Sequence, residues 1–501
     1  MFFHGKQVPR NARPSSAPDG RVRASMSNAR RHARNTVALL LAAVVGKGLF
    51  LVANLVIIKA LTVPANGLLQ QSYIFGTTFM LLTDFGLRGW LVRELSRKRD
   101  DEAATRTAFG HALNARLLAG AGALVLALPA MRASGYDAQA TAFVALFMVY
   151  GLIDSVSFIC KAGLRARERM GTEAVWSTAG RVGILALVIA LQRTGHLTIV
   201  NIALAHIAGA LVEVVGQYVV LSKCAPVHLF NRFDVRGITA TLRVAAPLAA
   251  LGVVGMMYLR MGTFVLSKMA GEEAVGYYNT AAKFPEALSF IPLAAVNALV
   301  PYLSRHHSDS ALLRRYGSLL VRYLGFIALT AAAIFVWETE WFIRLMFKPE
   351  YLVAAPVLRW FGAYVFLSAM QYVLANLLIC MNAEWRVVQR FVFCFVVNLV
   401  LNLVLVPRWG ALGAAVALVA GEASATVIDT VLLARRGVHL QVRLVGEFVL
   451  FVALVSGAML AVPVDNAWLR VGAGCAVAAV FAGGMALTVD REVVRRVLGK
   501  S

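Results

Sequence analysis

The chain of 501 residues is 59% hydrophobic and only 15% charged, with a mean hydropathy of +0.71. A soluble domain carries roughly 45–50% apolar and about 25% charged residues, so this balance excludes an ordinary soluble enzyme, a disordered chain and a disulfide scaffold together. The net charge of +23 would suggest nucleic acid in a soluble protein; in a membrane protein Lys and Arg collect in cytoplasmic loops and must first be sorted by position.

Residues 1–35 read as a basic, loop-like tail with Pro9, Pro14 and Pro18 and a single acid, Asp19. No amphipathic helical period runs through it, which argues for a disordered cytoplasmic tail over an organelle transit peptide. Met26 offers a second start, shortly before the first apolar run. Apolar runs of about 20 residues, the length that crosses a bilayer, then fall near 37–58, 67–87, 109–131, 139–162, 174–192, 198–221, 243–267, 275–302, 317–337, 354–379, 386–406, 411–433, 443–463 and 467–489. The pattern predicts an all-α polytopic membrane protein of fourteen transmembrane helices. The first run is too long for a cleaved signal sequence and carries Lys47 in its middle, so it reads as retained.

With the N-terminus cytoplasmic and the positives near run ends counted with the adjoining connection, 34 of the 49 Lys and Arg fall to inside segments, 9 to outside segments and 6 to the helices. This predicts that both termini are cytoplasmic and accounts for most of the charge without nucleic acid. The longest outside connection, 338–353, is too short for the extramembrane region that a membrane polymerase or ligase needs, which favours a transporter over an enzyme. Cys160, Cys224, Cys380, Cys394 and Cys475 form no CxxC and no His/Cys cluster, so neither a metal site nor a disulfide framework is supported, and on the transporter reading no catalytic residues are expected.

An internal repeat appears at an offset of 209 residues. Gly46 meets Gly255, Lys59 meets Lys268, Gly67 meets Gly276, Trp176 meets Trp385, Arg181 meets Arg390 and Glu213 meets Glu422. The expected organisation is an N-lobe of six helices (36–222), a cytoplasmic linker (223–242), a C-lobe of six helices (243–434), and two further helices with the C-terminus (435–501). Segment 226–242 reads equally as a surface helix or a plain loop.

Ionisable groups within a bilayer are costly, and by default they face the bundle interior and mark a pathway. Lys47, Arg116, Arg181, Arg260 and Lys283 fall at graded depths in the predicted helices, and Asn54 shares a helix face with Lys47. The competing reading pairs each cation with an intramembrane acid among Asp84, Asp154, Glu213, Glu286 and Glu422; Lys283 and Glu286 are three apart on one helix and suited to pair. Pro285 and Pro292 are expected to kink the eighth helix. Asn376, Asn398, Asn402 and Gln371 read as interhelical hydrogen bonds.

Three stretches carry a family resemblance: EAVGYYNTAAKFPEALSFIPLAAVNALVPYLSR (273–305), FKPEYLVAAPVLRW (347–360) and NLVLNLVLVPRWGALGAAVALVAGE (398–422). They resemble the Wzx-type polysaccharide-transport flippases of the multidrug/oligosaccharidyl-lipid/polysaccharide exporter superfamily, over roughly 36–435. The resemblance implies a V-shaped bundle of twelve to fourteen helices that alternates access and carries undecaprenyl-diphosphate-linked oligosaccharides outward across the bacterial inner membrane. It implies as product pathways O-antigen, capsule or exopolysaccharide, and as neighbours in that pathway a polysaccharide polymerase and chain-length machinery. It equally implies relatives of the same fold, lipid II flippases and cation-coupled multidrug exporters.

On that reading the five cations and Asn54 bind the diphosphate and sugar, because Arg grips phosphate oxygens in a bidentate fork and Lys acts as a point charge. A carrier of cationic drugs would instead show a cavity dominated by acids. No cofactor is expected. No GxxxxGK[ST] occurs, and the GKG at 46–48 is followed by Leu49, so the chain itself is not expected to hydrolyse ATP. Coupling to a proton or a sodium ion is left open, with Asp84, Asp154, Glu213, Glu286 and Glu422 as its candidates.

Overall fold

The computed structural model describes residues 44–84, 86–97, 101–228, 233–439, 441–463 and 466–490. The predicted tail 1–35, the alternative start at Met26 and the first residues of the 37–58 span lie outside the described residues, as does the C-terminus from 491.

All regular structure among the described residues is helical. In chain order the helices are α1 (44–60), α2 (Val63–Leu82), α3 (Leu87–Arg97), α4 (Glu102–Ala133), α5 (Ala138–Ala166), α6 (Met170–Arg193), α7 (Ile199–Ser222), α8 (Val235–Met269), α9 (Gly271–Leu288), α10 (Phe290–Arg305), α11 (Ser310–Trp337), α12 (Thr339–Met346), α13 (Ala355–Cys380), α14 (Glu384–Ala434), α15 (Arg443–Ala461) and α16 (Ala467–Thr488). Ten helical stretches among the described residues are long and apolar enough to cross a membrane.

Local chemistry explains where many of them begin. Asp101, Asp137, Thr198, Asp234, Asp309 and Asn466 each accept a hydrogen bond from a backbone N–H of the first turn that follows. The two runs at 386–406 and 411–433 join within α14 at Gly410, whose φ of 52° and ψ of −128° turn the chain at one residue. Only glycine adopts that conformation without strain.

Four details differ from the sequence expectations. The run at 275–302 is two helices, α9 and α10, that meet at Ser289 between Pro285 and Pro292. Helix α8 begins at Val235, so the C-terminal part of the expected 223–242 linker is helical, while residues 229–232 lie outside the described residues. Helix α3 occupies a stretch read as an inside loop, and α12 one read as an outside loop. Both are short and charged, so neither shows an apolar run.

Helix α5 packs against α2, α3, α4 and α7, and α6 lies on α7. Farther along the chain, α13 packs against α9, α10, α11 and α14, and α14 lies on α8. Helix α2 bridges these two sets by packing along α9 and α8, and the α15–α16 pair packs on α11.

The polarity is the reverse of a soluble protein. Arg116, Lys283, Arg322, Arg390, Glu213 and Asp429 are buried, while Val125, Leu126, Val449 and Val480 are each at least 66% exposed on the outside of the bundle. An apolar exterior with charges inside is stable only where lipid replaces water. The protein is a multi-span membrane protein.

Candidate substrate cavity

A cavity of about 390 Å³ opens between α1 on one side and α8 and α9 on the other, with α13 and α14 closing its back. Its charged lining is Lys47 from α1, Arg260 from α8, and Lys283 and Glu286 from α9, three cations and one carboxylate. The rest is largely aromatic and apolar, with Phe50, Phe361 and Tyr364 among the walls.

The break between α9 and α10 shapes this site. Pro285 has no N–H to offer the preceding turn, and the helix ends four residues later at Ser289. The Ser289 hydroxyl donates to the Glu286 carbonyl at 2.7 Å and accepts from the Lys47 ammonium at 3.1 Å. Lys47 also lies 3.5 Å from that carbonyl. Arg260 Nη1 donates to Glu286 Oε1 at 3.2 Å. Lys283 is 6% exposed, and its ammonium stands 5.6 Å from the centre of the Phe50 ring. The Thr263 hydroxyl donates to Asn279 Oδ1 at 3.1 Å, tying α8 to α9 beside the site.

Arg260 thus takes the Glu286 carboxylate and Lys47 its backbone carbonyl, and the cavity keeps a formal excess of two positive charges. Among the described residues no ion pair joins Lys47 or Lys283 to a carboxylate. The i, i+3 spacing of Lys283 and Glu286 does not bring them into ion-pair contact, and Glu286 takes Arg260 from the neighbouring helix instead.

The other sequence candidates lie around this cavity rather than in its wall. Arg181 on α6 rests its guanidinium against the backbone of Gly46, where an added Cβ would collide with it, one residue from Lys47. Asn54, one turn beyond Phe50, accepts from Gln70 at 3.4 Å in a small neighbouring pocket with Tyr73 and His206. Arg116 is 1% exposed, donates to the Thr83 hydroxyl at 2.8 Å and stands 3.9 Å from Asp84, away from the cavity lining. Asp154 is half-buried on α5, also away from it.

Glu213 is held by Lys161 at 2.6 Å, Ser177 at 2.7 Å, and Ser157 and Gln217 at 3.1 Å. In the second half of the chain Arg390 pairs with Asp429 at 3.2 Å, and Glu422, two turns earlier on the same arm of α14, is 5% exposed. Lys161, Asp429, Ser289 and the aromatic wall were not singled out in the sequence. Lys161 falls at the end of an apolar run, where the charge count assigns it to an inside loop, and the others become notable only once their neighbours are known.

The end of the bundle that holds the α1–α2 and α8–α9 turns is shut. Gly67 and Gly276 face each other there, and a Cβ on Gly276 would lie 3.4 Å from the Gly67 Cα. Asn66 donates to the Thr280 hydroxyl at 3.0 Å. Lys348 reaches the Leu61 carbonyl at 3.1 Å, Lys59 reaches the Leu345 carbonyl at 3.5 Å, and Lys268 bonds the Ser134 carbonyl. Phe75 and Phe264 stack with ring centres 4.2 Å apart.

The described residues thus form a lipid-facing bundle around an electropositive internal cavity, closed at one end by side-chain, backbone and ring contacts. The sequence profile of the family described as "Polysaccharide biosynthesis protein" matches residues 32–307, more than half of the chain, and the chain belongs to that family. Among solved structures it is similar to the lipid II flippase MurJ in an inward closed conformation, with 12% identity and a TM-score of 0.75 over 92% of this chain and 100% of that one. It is also similar to a multidrug resistance MATE family transporter of the MOP superfamily in an inward-facing conformation, with 14% identity and a TM-score of 0.65 over 78% and 94%. A third is a MOP superfamily transporter from Pyrococcus furiosus described as having a binding pocket of reverse polarity, with 15% identity and a TM-score of 0.56 over 80% and 95%. No protein of curated function matches by sequence. The chain shares its fold with this flippase and these transporters.

Proposed function

We propose that the protein moves undecaprenyl-diphosphate-linked oligosaccharides from the cytoplasmic to the periplasmic face of a bacterial inner membrane, for O-antigen, capsule or exopolysaccharide synthesis. The observation that carries this reading is the sign of the cavity. Lys47, Arg260 and Lys283 converge on one space, with Glu286 the one acid among the described lining residues. Three cations held in a low-dielectric site repel one another, and an anion with several oxygens relieves that cost. A diphosphate meets the requirement through a bidentate guanidinium and two ammonium point charges. A cationic drug would meet net repulsion in the same space.

In this reading two six-helix lobes, 36–222 and 243–434, rock about the cavity, and both termini stay cytoplasmic. The contact of Gly67 with Gly276, residues paired by the 209-residue offset, supports an axis of pseudo-symmetry running between α2 and α9. The membrane potential, negative inside, favours outward movement of an anion by ~2.3 kcal/mol per charge per 100 mV. Return of the empty carrier needs another source. Glu422 and Asp429 set two carboxylates against the single guanidinium of Arg390, and this residual negative charge suits a proton or a sodium ion. Glu213, by contrast, is already neutralised by Lys161.

The fold shared with MurJ supports one alternative, lipid II, which presents the same diphosphate. Depleting the protein in the producing cell decides between the two. The proposal expects loss of surface polysaccharide, with lipid-linked oligosaccharide accumulating in the cytoplasmic leaflet and peptidoglycan unaffected. Accumulation of lipid II with normal surface polysaccharide would replace it by the alternative.

A further inference from the structure

A second cavity, of about 380 Å³, lies away from the cationic one, where the end of α11, α12, the first turn of α13 and the first turn of α16 meet. Its walls are Trp337, Trp341 and Trp468, with Glu340 and Arg359 at the rim and Glu338 and Arg470 beneath. Three of the chain's eight tryptophans are thus gathered at one concave site. Trp341 and Trp468 meet edge to face with ring centres 4.8 Å apart, and Trp468 remains 64% exposed.

The polar groups here are arranged differently from those of the cationic cavity. Arg470 pairs with the buried Glu338 at 2.9 Å, and its Nε also donates to the Met459 carbonyl at 3.1 Å. That pair is part of the frame, as is the bond from Trp337 Nε1 to the Ser456 hydroxyl at 3.0 Å. Arg359 and Glu340 stand 3.9 Å apart with side chains 50% and 62% exposed, too far for a hydrogen bond and open to solvent. They offer a fork of donors beside a pair of acceptors, and the four charges cancel.

We infer that this cavity binds the saccharide portion of the cargo through neutral pyranose rings. A pyranose presents a face of C–H groups, which suits the electron-rich face of an indole, and a rim of hydroxyls, each both donor and acceptor. A carboxylate next to a guanidinium satisfies such a rim, and a site without net charge does not select a phosphate. Tryptophans also gather at the bilayer interface to anchor helices among headgroups, but an anchoring belt needs no concave wall and no paired charges at its rim. The inference rests on the proposed direction of transport, which puts this end of the bundle on the receiving side. There the site would hold the sugar while the diphosphate leaves the cationic cavity.

The test uses the full-length protein in nanodiscs, with soluble oligosaccharide repeat units and intact polymer prepared from the producing cell's surface polysaccharide. Saturation-transfer NMR should show the ring C–H protons of the repeat unit in contact with the protein. Trp341→Ala with Trp468→Ala should weaken that binding about tenfold, corresponding to ~1.4 kcal/mol. Trp468→Phe should retain most of it, and Trp385→Ala, at an exposed tryptophan that lines neither cavity, should leave it unchanged. Trp468 is exposed and Trp341 half-buried, and thermal unfolding of the double variant separates lost binding from lost folding.

Transfer to no repeat unit, transfer equal in the double variant, or a response to polymer alone would overturn the inference. Strong quenching of both tryptophans by lipids brominated near the headgroup would overturn it in favour of a membrane anchor. If repeat units bind but depletion leaves lipid-linked oligosaccharide correctly distributed, the transport reading fails and the saccharide site stands. If depletion traps the lipid and no sugar binds, the reverse holds.

Discussion

Replacing Lys47 with alanine separates a transport role from a structural one, because the two make opposite demands on protein abundance. The Lys47 ammonium is half-buried, bonded to the Ser289 hydroxyl at 3.1 Å and near the Glu286 carbonyl at 3.5 Å. Ser289 keeps its own bond to that carbonyl when Lys47 is gone. Alanine therefore strands no buried charge, and the expected loss of stability is about 1 kcal/mol. Against a diphosphate the effect is larger. A unit charge pair 4 Å apart at an effective dielectric of ~20 is worth ~4 kcal/mol, a ceiling of roughly 10³ in rate. With Arg260 and Lys283 still in place, a loss of about 10² is expected.

Lys161 supplies the contrast. It pairs with Glu213 at 2.6 Å with both side chains almost fully buried. Lys161→Met leaves that carboxylate unpaired at a cost of about 3–5 kcal/mol, so abundance should fall, and Lys161→Met with Glu213→Gln should restore it. Quantifying each variant in the membrane, together with the leaflet that holds the lipid intermediate, gives both readouts. Lys47→Ala exporting normally at normal abundance, or disappearing from the membrane as Lys161→Met does, would refute the reasoning.

Three further outcomes are expected. A cytoplasm-dependent reporter fused after Ser501 should be active, and activity of a periplasm-dependent reporter there would break the assigned topology. Cysteines at Asn66 and Thr280, whose side chains are 3.0 Å apart across α2 and α9, should crosslink under oxidation and stop export reversibly; export continuing in the crosslinked protein would mean that this end never opens. Arg322→Met removes the cation held by Glu447 at 2.7 Å and Asp490 at 2.7 Å, and should destabilise the α15–α16 attachment by about 3 kcal/mol or more, read as earlier thermal unfolding of the purified protein.

The spanning helices were legible because each must present an apolar exterior for most of its length, and that leaves a continuous run in the chain. The break at Ser289 was legible from Pro285 and Pro292, since a missing N–H is a local property. Helices α3 and α12 were hidden because short charged helices at a membrane edge have the composition of loops. Ion-pair partners were the least legible part. Glu213 was one of several acids open to the cations, and the structure gives it Lys161 from α5, a residue that the charge count had placed in a loop. Arg116 takes Asp84, while Lys47 and Lys283 take no acid among the described residues. Which helix faces which is decided by packing between segments far apart in sequence, and no spacing rule along one helix reports it.

The attachment of α15 and α16 to α11 also has a mechanical side. Arg322 clasps Glu447 and Asp490 at one level, Glu338 clasps Arg470 at the other, and Phe326, Phe451 and Phe481 pack between them. The sixteen residues from Arg322 to Glu338 correspond to about 24 Å of helix, close to the depth of a bilayer's hydrocarbon core. Clasps at both ends stop the three helices from sliding past one another, so the unit behaves as a strut of fixed height. A membrane thicker or thinner than that strut must deform around it, at fractions of a kcal/mol per Å of mismatch. Acyl-chain length thereby becomes a load on the carrier, borne by the lipid on this flank rather than absorbed by the helices.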